Sequence, residues 1–298
     1  MPKKNGVKQM FRIVSPLLIY YAVSYMVSQI VILWFTGKQW PKFLSENPDI
    51  GNANMDVLMQ KTNELIMEAT KKAMEYSNEI MVISAVILLP ILSIMFFKDC
   101  KRRKACSMQN KKEVSWLKYA AVIGAGIVIS IALNNIIMLA DVASISASYQ
   151  ETADRFYAAD LLVQILGVGI LVPISEELIY RGLFYDRLKD MWSVKRAAGF
   201  TCLVFGLFHG NIVQAVYAIA FSALFIYVYE RFGTLKAPIL VHIAANLTSL
   251  AATYFGMYQW IFQNVFRVGV VTVICAMISV SLLIFIHEES IKCQENAE

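Results

Sequence analysis

The sequence predicts an all-α, polytopic membrane helix bundle of about eight transmembrane helices. Three observations carry that prediction. The chain of 298 residues is 58% hydrophobic and only 16% charged, with a mean hydropathy of +0.55, whereas soluble domains are about 45–50% apolar and about 25% charged. The excess lies in uncharged runs near the ~20 residues that a helix needs to cross a bilayer. Basic residues cluster in alternate connections between those runs, the pattern that sets orientation in a membrane.

The first span is expected over about Ile13–Phe35, behind Lys3, Lys4, Lys8 and Arg12 and ahead of an interfacial cluster of Trp34, Trp40 and Pro41. Its apolar core is longer than the ~7–15 residues of a signal peptide and no small-residue cleavage site follows, so it reads as a retained helix. Residues 36–78 are polar, but Met55, Leu58, Met59, Leu65, Ile66 and Ala69 recur at i, i+3, i+4 spacing. That spacing predicts an amphipathic helix on the membrane surface or against the bundle. A second span over about Ile80–Phe97 precedes the most basic segment, Lys98 to Lys112. A third covers about Trp116–Leu139 and leads into a Ser/Ala-rich, mildly acidic loop over 141–160.

Span four begins near Leu161 and runs to Pro173-Ile174-Ser175-Glu176-Glu177, followed by Arg181, Arg187, Lys189, Lys195 and Arg196. Span five, about Ala197–His209, is short, and span six is about Ile212–Tyr229. Arg231 and Lys236 separate it from span seven, about Ala237–Phe255, and the last span is about Val265–Ile286. Eight crossings put the N-terminus, the 98–112 loop, the 181–196 segment and the Arg231/Lys236 turn on one side. The positive-inside rule makes that side cytoplasmic, with both termini there and the 36–78 segment extracytoplasmic. The expected setting is a bacterial cell membrane. The sequence divides into a variable N-terminal membrane region of three spans, 1–150, and a catalytic membrane core, 151–298.

The net charge of +5 is too small and too dispersed to point to nucleic acid. The five cysteines, Cys100, Cys106, Cys202, Cys275 and Cys293, show no metal-type or paired spacing, and no structural disulfide is expected.

Ionisable residues inside apolar runs are costly and mark functional interiors. Three clusters stand out. In Ser175-Glu176-Glu177-Leu178-Ile179-Tyr180-Arg181, Glu177 and Arg181 are i, i+4 neighbours able to pair. Glu176 points about 100° away, with no cation within one turn. The unpaired carboxylate is the better candidate for a general base. In Phe205-Gly206-Leu207-Phe208-His209, Phe205 sits one turn below the imidazole. In His242-Ile243-Ala244-Ala245-Asn246, the imidazole and the carboxamide share one helical face. Each has a plainer reading alone: a span-ending acidic pair, a core histidine, and hydrogen-bonded glue between helices. Together they supply parts for hydrolysis, with Glu and His to activate water and His and Asn to stabilise an oxyanion. Glu176, His209 and His242 could equally hold a divalent metal such as zinc.

These residues resemble the motifs of the CPBP intramembrane proteases, which include the CAAX prenyl endopeptidases and bacterial proteins linked to bacteriocin processing and immunity. The family's E-E-x-x-x-R, F-x-x-x-H and H-x-x-x-N patterns appear in order as Glu176-Glu177…Arg181, Phe205…His209 and His242…Asn246. The resemblance spans roughly 160–255. It implies that Glu176 polarises water with His209, and that His242 and Asn246 form the oxyanion hole. Glu177, Arg181 and Phe205 are then supporting residues. It also implies a membrane-associated peptide or protein substrate, cleaved near the cytoplasmic face, by either glutamate- or metal-dependent chemistry. A non-catalytic membrane immunity or regulatory partner that binds a sensor, secretion or toxin-receptor protein is a reading from a different class, and a proton-relay transporter is a third. The transporter lacks the internal repeat many transporters show.

Overall fold

The computed structural model describes residues 3–104, 115–139, 157 and 159–295. The acidic loop over 141–160 lies mostly outside the described residues, as do Lys111, Lys112 and Cys106. Among the described residues there are helices and turns but no strand.

Helix α1 (Lys3–Glu46) is far longer than one crossing and runs straight through the Trp34/Trp40 cluster where the sequence ends the first span. Neither aromatic residues nor Pro41 stop it. The reason lies in α2 (Met55–Glu75), which folds back along the α1 extension through buried Leu65, Ala69 and Ala73. The side chain of Asn54 accepts from the Val57 N–H to start α2, satisfying one of the donors a helix leaves free. Phe35 and Tyr76 meet at a ring distance of 5.4 Å where α2 returns to the bundle. The amphipathic helix read from the 36–78 segment is therefore present, packed on α1.

The remaining helices are α3 (Ser77–Lys104), α4 (Trp116–Leu139), α5 (Leu161–Lys189), α6 (Val194–Leu207), α7 (Ile212–Phe232), α8 (Lys236–Tyr254), α9 (Met257–Phe262) and α10 (Val265–Glu295). Among the described residues, seven helices are long and apolar enough to cross a membrane: α1, α3, α4, α5, α7, α8 and α10. The short fifth span of the sequence is α6. At 14 residues it reaches roughly 21 Å, less than a ~30 Å hydrocarbon core. It forms an antiparallel hairpin with α7 and carries His209 just beyond its tip.

One end of the bundle is a collar of ion pairs. Arg12 of α1 lies 3.1 Å from Asp99 of α3, which Arg187 of α5 contacts at 2.6 Å. Asp190, just past α5, is shared by Arg12 and Arg102 at 3.3 and 2.9 Å. Arg103 pairs with Asp186, to which the Tyr229 hydroxyl of α7 also donates, and Lys189 reaches Glu230. His287 of α10 sits against Tyr227 and Arg231 at the same end. The start of α1 and the last turns of α10 thus lie on one side. Above the collar is a buried apolar layer that joins Ile13, Leu92 and Val122 to Leu183, Val228 and Ala237. The core therefore runs across position 150. Cys100, Cys202 and Cys275 are free thiols.

Candidate active site

The middle of α5 is irregular. Bonding widens to the i→i+5 pattern over Gln164–Leu171 and again over Leu178–Tyr185, leaving a regular segment at Val172–Glu177. Pro173 has no N–H to donate and sits at the edge of the first widened stretch; such stretches are frequent at functional sites. The regular segment carries the two adjacent carboxylates on different faces. Glu176 turns into a cavity, with a side chain 16% exposed, while Glu177 is completely buried.

Glu177 is held from two sides. Arg181, one turn later and also fully buried, approaches it at 3.0 Å. The guanidinium also donates to the Ser222 hydroxyl at 2.8 Å and lies over the rings of Phe205 and Phe225, at 4.5 and 4.9 Å. Planar charge between two aromatic faces gains cation–π attraction, which is larger when desolvated. From α8, the Nδ1–H of His242 donates to the same Glu177 oxygen at 2.9 Å. The other ring nitrogen, Nε2, stands 3.6 Å from Glu176. Phe225 stacks on the imidazole at 4.6 Å and 25°. This ring is held between two carboxylates in one rotamer.

His209 is fixed differently. Its Nδ1–H donates to the Phe205 carbonyl at 2.6 Å, and the Phe205 ring lies 4.6 Å away, so Nε2 carries the lone pair. Gly210 follows in the left-handed region, φ +83°, which turns the chain from α6 into α7. Asn246, one turn beyond His242, donates through Nδ2 to the Val168 carbonyl at 2.9 Å. Its second amide hydrogen is not engaged by that bond.

A cavity of about 510 Å³ brings Glu176, His209, His242 and Asn246 together. These residues belong to the fourth, fifth and seventh spans of the sequence, which are α5, α6 and α8. The structure adds walls from α1, α3, α4 and α7, including Tyr20, Tyr21, Asn78, Asn134 and Tyr217. Phe205 serves both His209 and Arg181, a double role that the one-turn spacing shows only in part. The sequence reading missed the bond from Glu177 to His242, along with Ser222 and Phe225. No local spacing could reveal them, since His242 is 65 positions from Glu177.

The cavity extends from Glu176 away from the collar. Its lining stops at Tyr180, Phe225 and His242 on the collar side. Fully buried Leu183, Tyr185, Val228 and Ala237 fill the space between there and the collar. Among the described residues, no three His, Cys, Asp or Glu side chains converge as metal donors. In the alternative set of Glu176, His209 and His242, Phe205 and Glu177 engage the Nδ1 atoms, which leaves the Glu176 carboxylate and the two Nε2 atoms as the donors.

Residues 158–248 match the family model for type II CAAX prenyl endopeptidase Rce1-like proteins. The match covers α5 to most of α8 and includes every motif residue from Glu176 to Asn246. No curated protein and no solved structure matches the chain. The matched family is one of intramembrane proteases. With seven apolar helices, the chain is an integral membrane protein, and its residues 158–248 are similar to that family.

Proposed function

We propose that the protein is an intramembrane endopeptidase that hydrolyses a peptide bond of a membrane-associated peptide or protein. One observation carries the reading: a cavity-facing carboxylate, Glu176, stands beside an imidazole that a second, buried carboxylate holds in place. Glu176 accepts a proton from water, and Nε2 of His209 accepts a hydrogen bond from the same water and aligns it. The hydroxide attacks the scissile carbonyl carbon. The oxygen that gains the electron pair is met by Asn246 Nδ2–H and, when protonated, by His242 Nε2–H. Collapse of the tetrahedral species breaks the C–N bond, and Glu176 returns its proton to the departing amine. Glu177 does not touch the substrate in this scheme; it positions His242, and Arg181 positions Glu177.

Glu176→Gln and His209→Ala are each expected to lower cleavage by at least about 10²-fold, the size of a general acid–base contribution. Both should insert and unfold at wild-type temperature. Normal processing by both variants, scored as precursor peptides absent from membrane proteomes, sinks the proposal. So does full biological rescue by Glu176→Gln, which would mark a binding role. Cleavage by the purified protein should persist after treatment with EDTA and 1,10-phenanthroline, because every proton transfer is assigned to side chains. Loss of activity restored by zinc would overturn that assignment.

A further inference from the structure

We infer that the catalytic cavity is entered from the extracytoplasmic side, so that the substrate is an uncharged stretch of polypeptide presented at the outer membrane face. The inference rests on the proposed hydrolase reading for its chemistry, but its geometry stands apart. Toward the collar, the lining ends more than one helical turn short of Lys189, Glu230 and Lys236, above the packed floor. In the other direction the lining runs to the helix ends. It reaches Ser77, the first residue of α3, Val213, the second of α7, and Ile137, two short of the end of α4. Exposed Phe208 and Tyr157 stand at that rim.

The charge distribution then assigns the sides. The collar end holds Lys8, Arg12, Lys98, Lys101, Arg102, Arg103, Arg187, Lys189, Lys195, Arg196, Arg231 and Lys236, in the collar-side turns of their helices or beside them. The far end carries Lys38, Lys42 and Arg267, with the α2 lysines interspersed among Asp56, Glu64, Glu68 and Glu75. Basic residues near span ends are retained in the cytoplasm, which makes the collar cytoplasmic and the mouth extracytoplasmic. The mouth is chemically specific as well. Asn78, Asn134, Gln214, Tyr217 and Ser249 line it, and among the described lining residues Glu176 is the one carboxylate, with no lysine or arginine. Neutral donors and acceptors suit peptide backbone, and apart from the Glu176 carboxylate no acidic, lysine or arginine side chain of the lining is there to pair with a charged segment.

The test reads sidedness directly. Gln214→Cys and Ser249→Cys, in a chain whose five native cysteines are replaced, are treated with a small sulfonated maleimide that does not cross membranes. Both are expected to label in intact spheroplasts and to be protected in sealed inside-out vesicles. Lys195→Cys, on the collar side, is expected to behave in the opposite way. Should the cysteine-free chain fail to fold, the same variants in the native background are read against unmodified protein. Labelling of the cavity positions only in inside-out vesicles, from both sides, or from neither overturns the inference. The labels need no turnover. Wrong-side labelling with Glu176-dependent cleavage intact refutes this inference alone, whereas outer labelling without such cleavage refutes the hydrolase reading alone.

Discussion

At the scale of single residues, the site turns on how two adjacent glutamates divide their work. Glu176 faces the cavity and Glu177 is sealed between Arg181 and His242. Removing the cation is the more damaging change for stability, because it leaves a buried carboxylate whose remaining partner is neutral unless protonated. Arg181→Met is expected to destabilise the fold by roughly 3–5 kcal/mol, the usual penalty for breaking a buried pair. Thermal unfolding in detergent checks this. Glu177→Gln should do less to the fold, since a carboxamide oxygen still accepts from Arg181. It should lower kcat by roughly 10²-fold or more with little change in KM, by loosening the imidazole, as loss of an orienting carboxylate does elsewhere. An unchanged kcat in a folded Glu177→Gln protein would remove the positioning role. The Glu177–Arg181 pair was legible in the sequence because it is an i, i+4 contact on one helix. The Glu177–His242 bond was not, since it depends on how α5 and α8 are set against each other.

At the scale of elements, the positions of α6 and α8 decide where the two histidines stand. The short span before His209 was legible from its length, and α6 is a helix of only 14 residues. The extent of α1 was not legible, because the support for its second half comes from α2 folding back on it. The seat of α8 depends on close approach to α4 at Gly126. A Cβ there would come within 2.7 Å of the Val241 carbonyl oxygen and 3.2 Å of Ala244 Cβ. Backbone cannot yield as a side-chain tip can, so Gly126→Ala should push the helices apart. The expected loss is roughly 1–3 kcal/mol, typical of overpacking, together with reduced cleavage as His242, next to Val241, shifts. Gly199→Ala in α6 is the matched control: nothing lies within 4 Å of the added carbon. It should be neutral or stabilising by up to about 1 kcal/mol, the helix preference of alanine over glycine. Equal melting shifts for the two variants would contradict this account of α4–α8 packing.

At the scale of the whole molecule, the bundle is tied at one end and hollow toward the other. The collar joins α1, α3, α5 and α7 through Arg12, Asp99, Arg187 and their neighbours, while the cavity lies beyond a fully packed apolar layer. This separation predicts that stability and chemistry can be changed independently. Asp99 is the best place to show it, because its carboxylate holds two arginines, one of which, Arg187, is nearly fully buried. Asp99→Leu removes the shared acceptor and leaves the Arg187 guanidinium with the Arg12 carbonyl and the Ser15 hydroxyl as its remaining partners. An uncompensated buried charge of this kind costs about 3–5 kcal/mol, so the unfolding midpoint in detergent should fall clearly. The network is partly open to water, which places the loss toward the lower end of that range. The protein that remains folded well below the new midpoint should retain wild-type kcat and KM, because no residue of the collar lines the cavity. A fall in kcat larger than the fall in folded fraction would show that the collar transmits strain through the apolar layer to Glu176 and His242, and that the two ends of the bundle do not act independently.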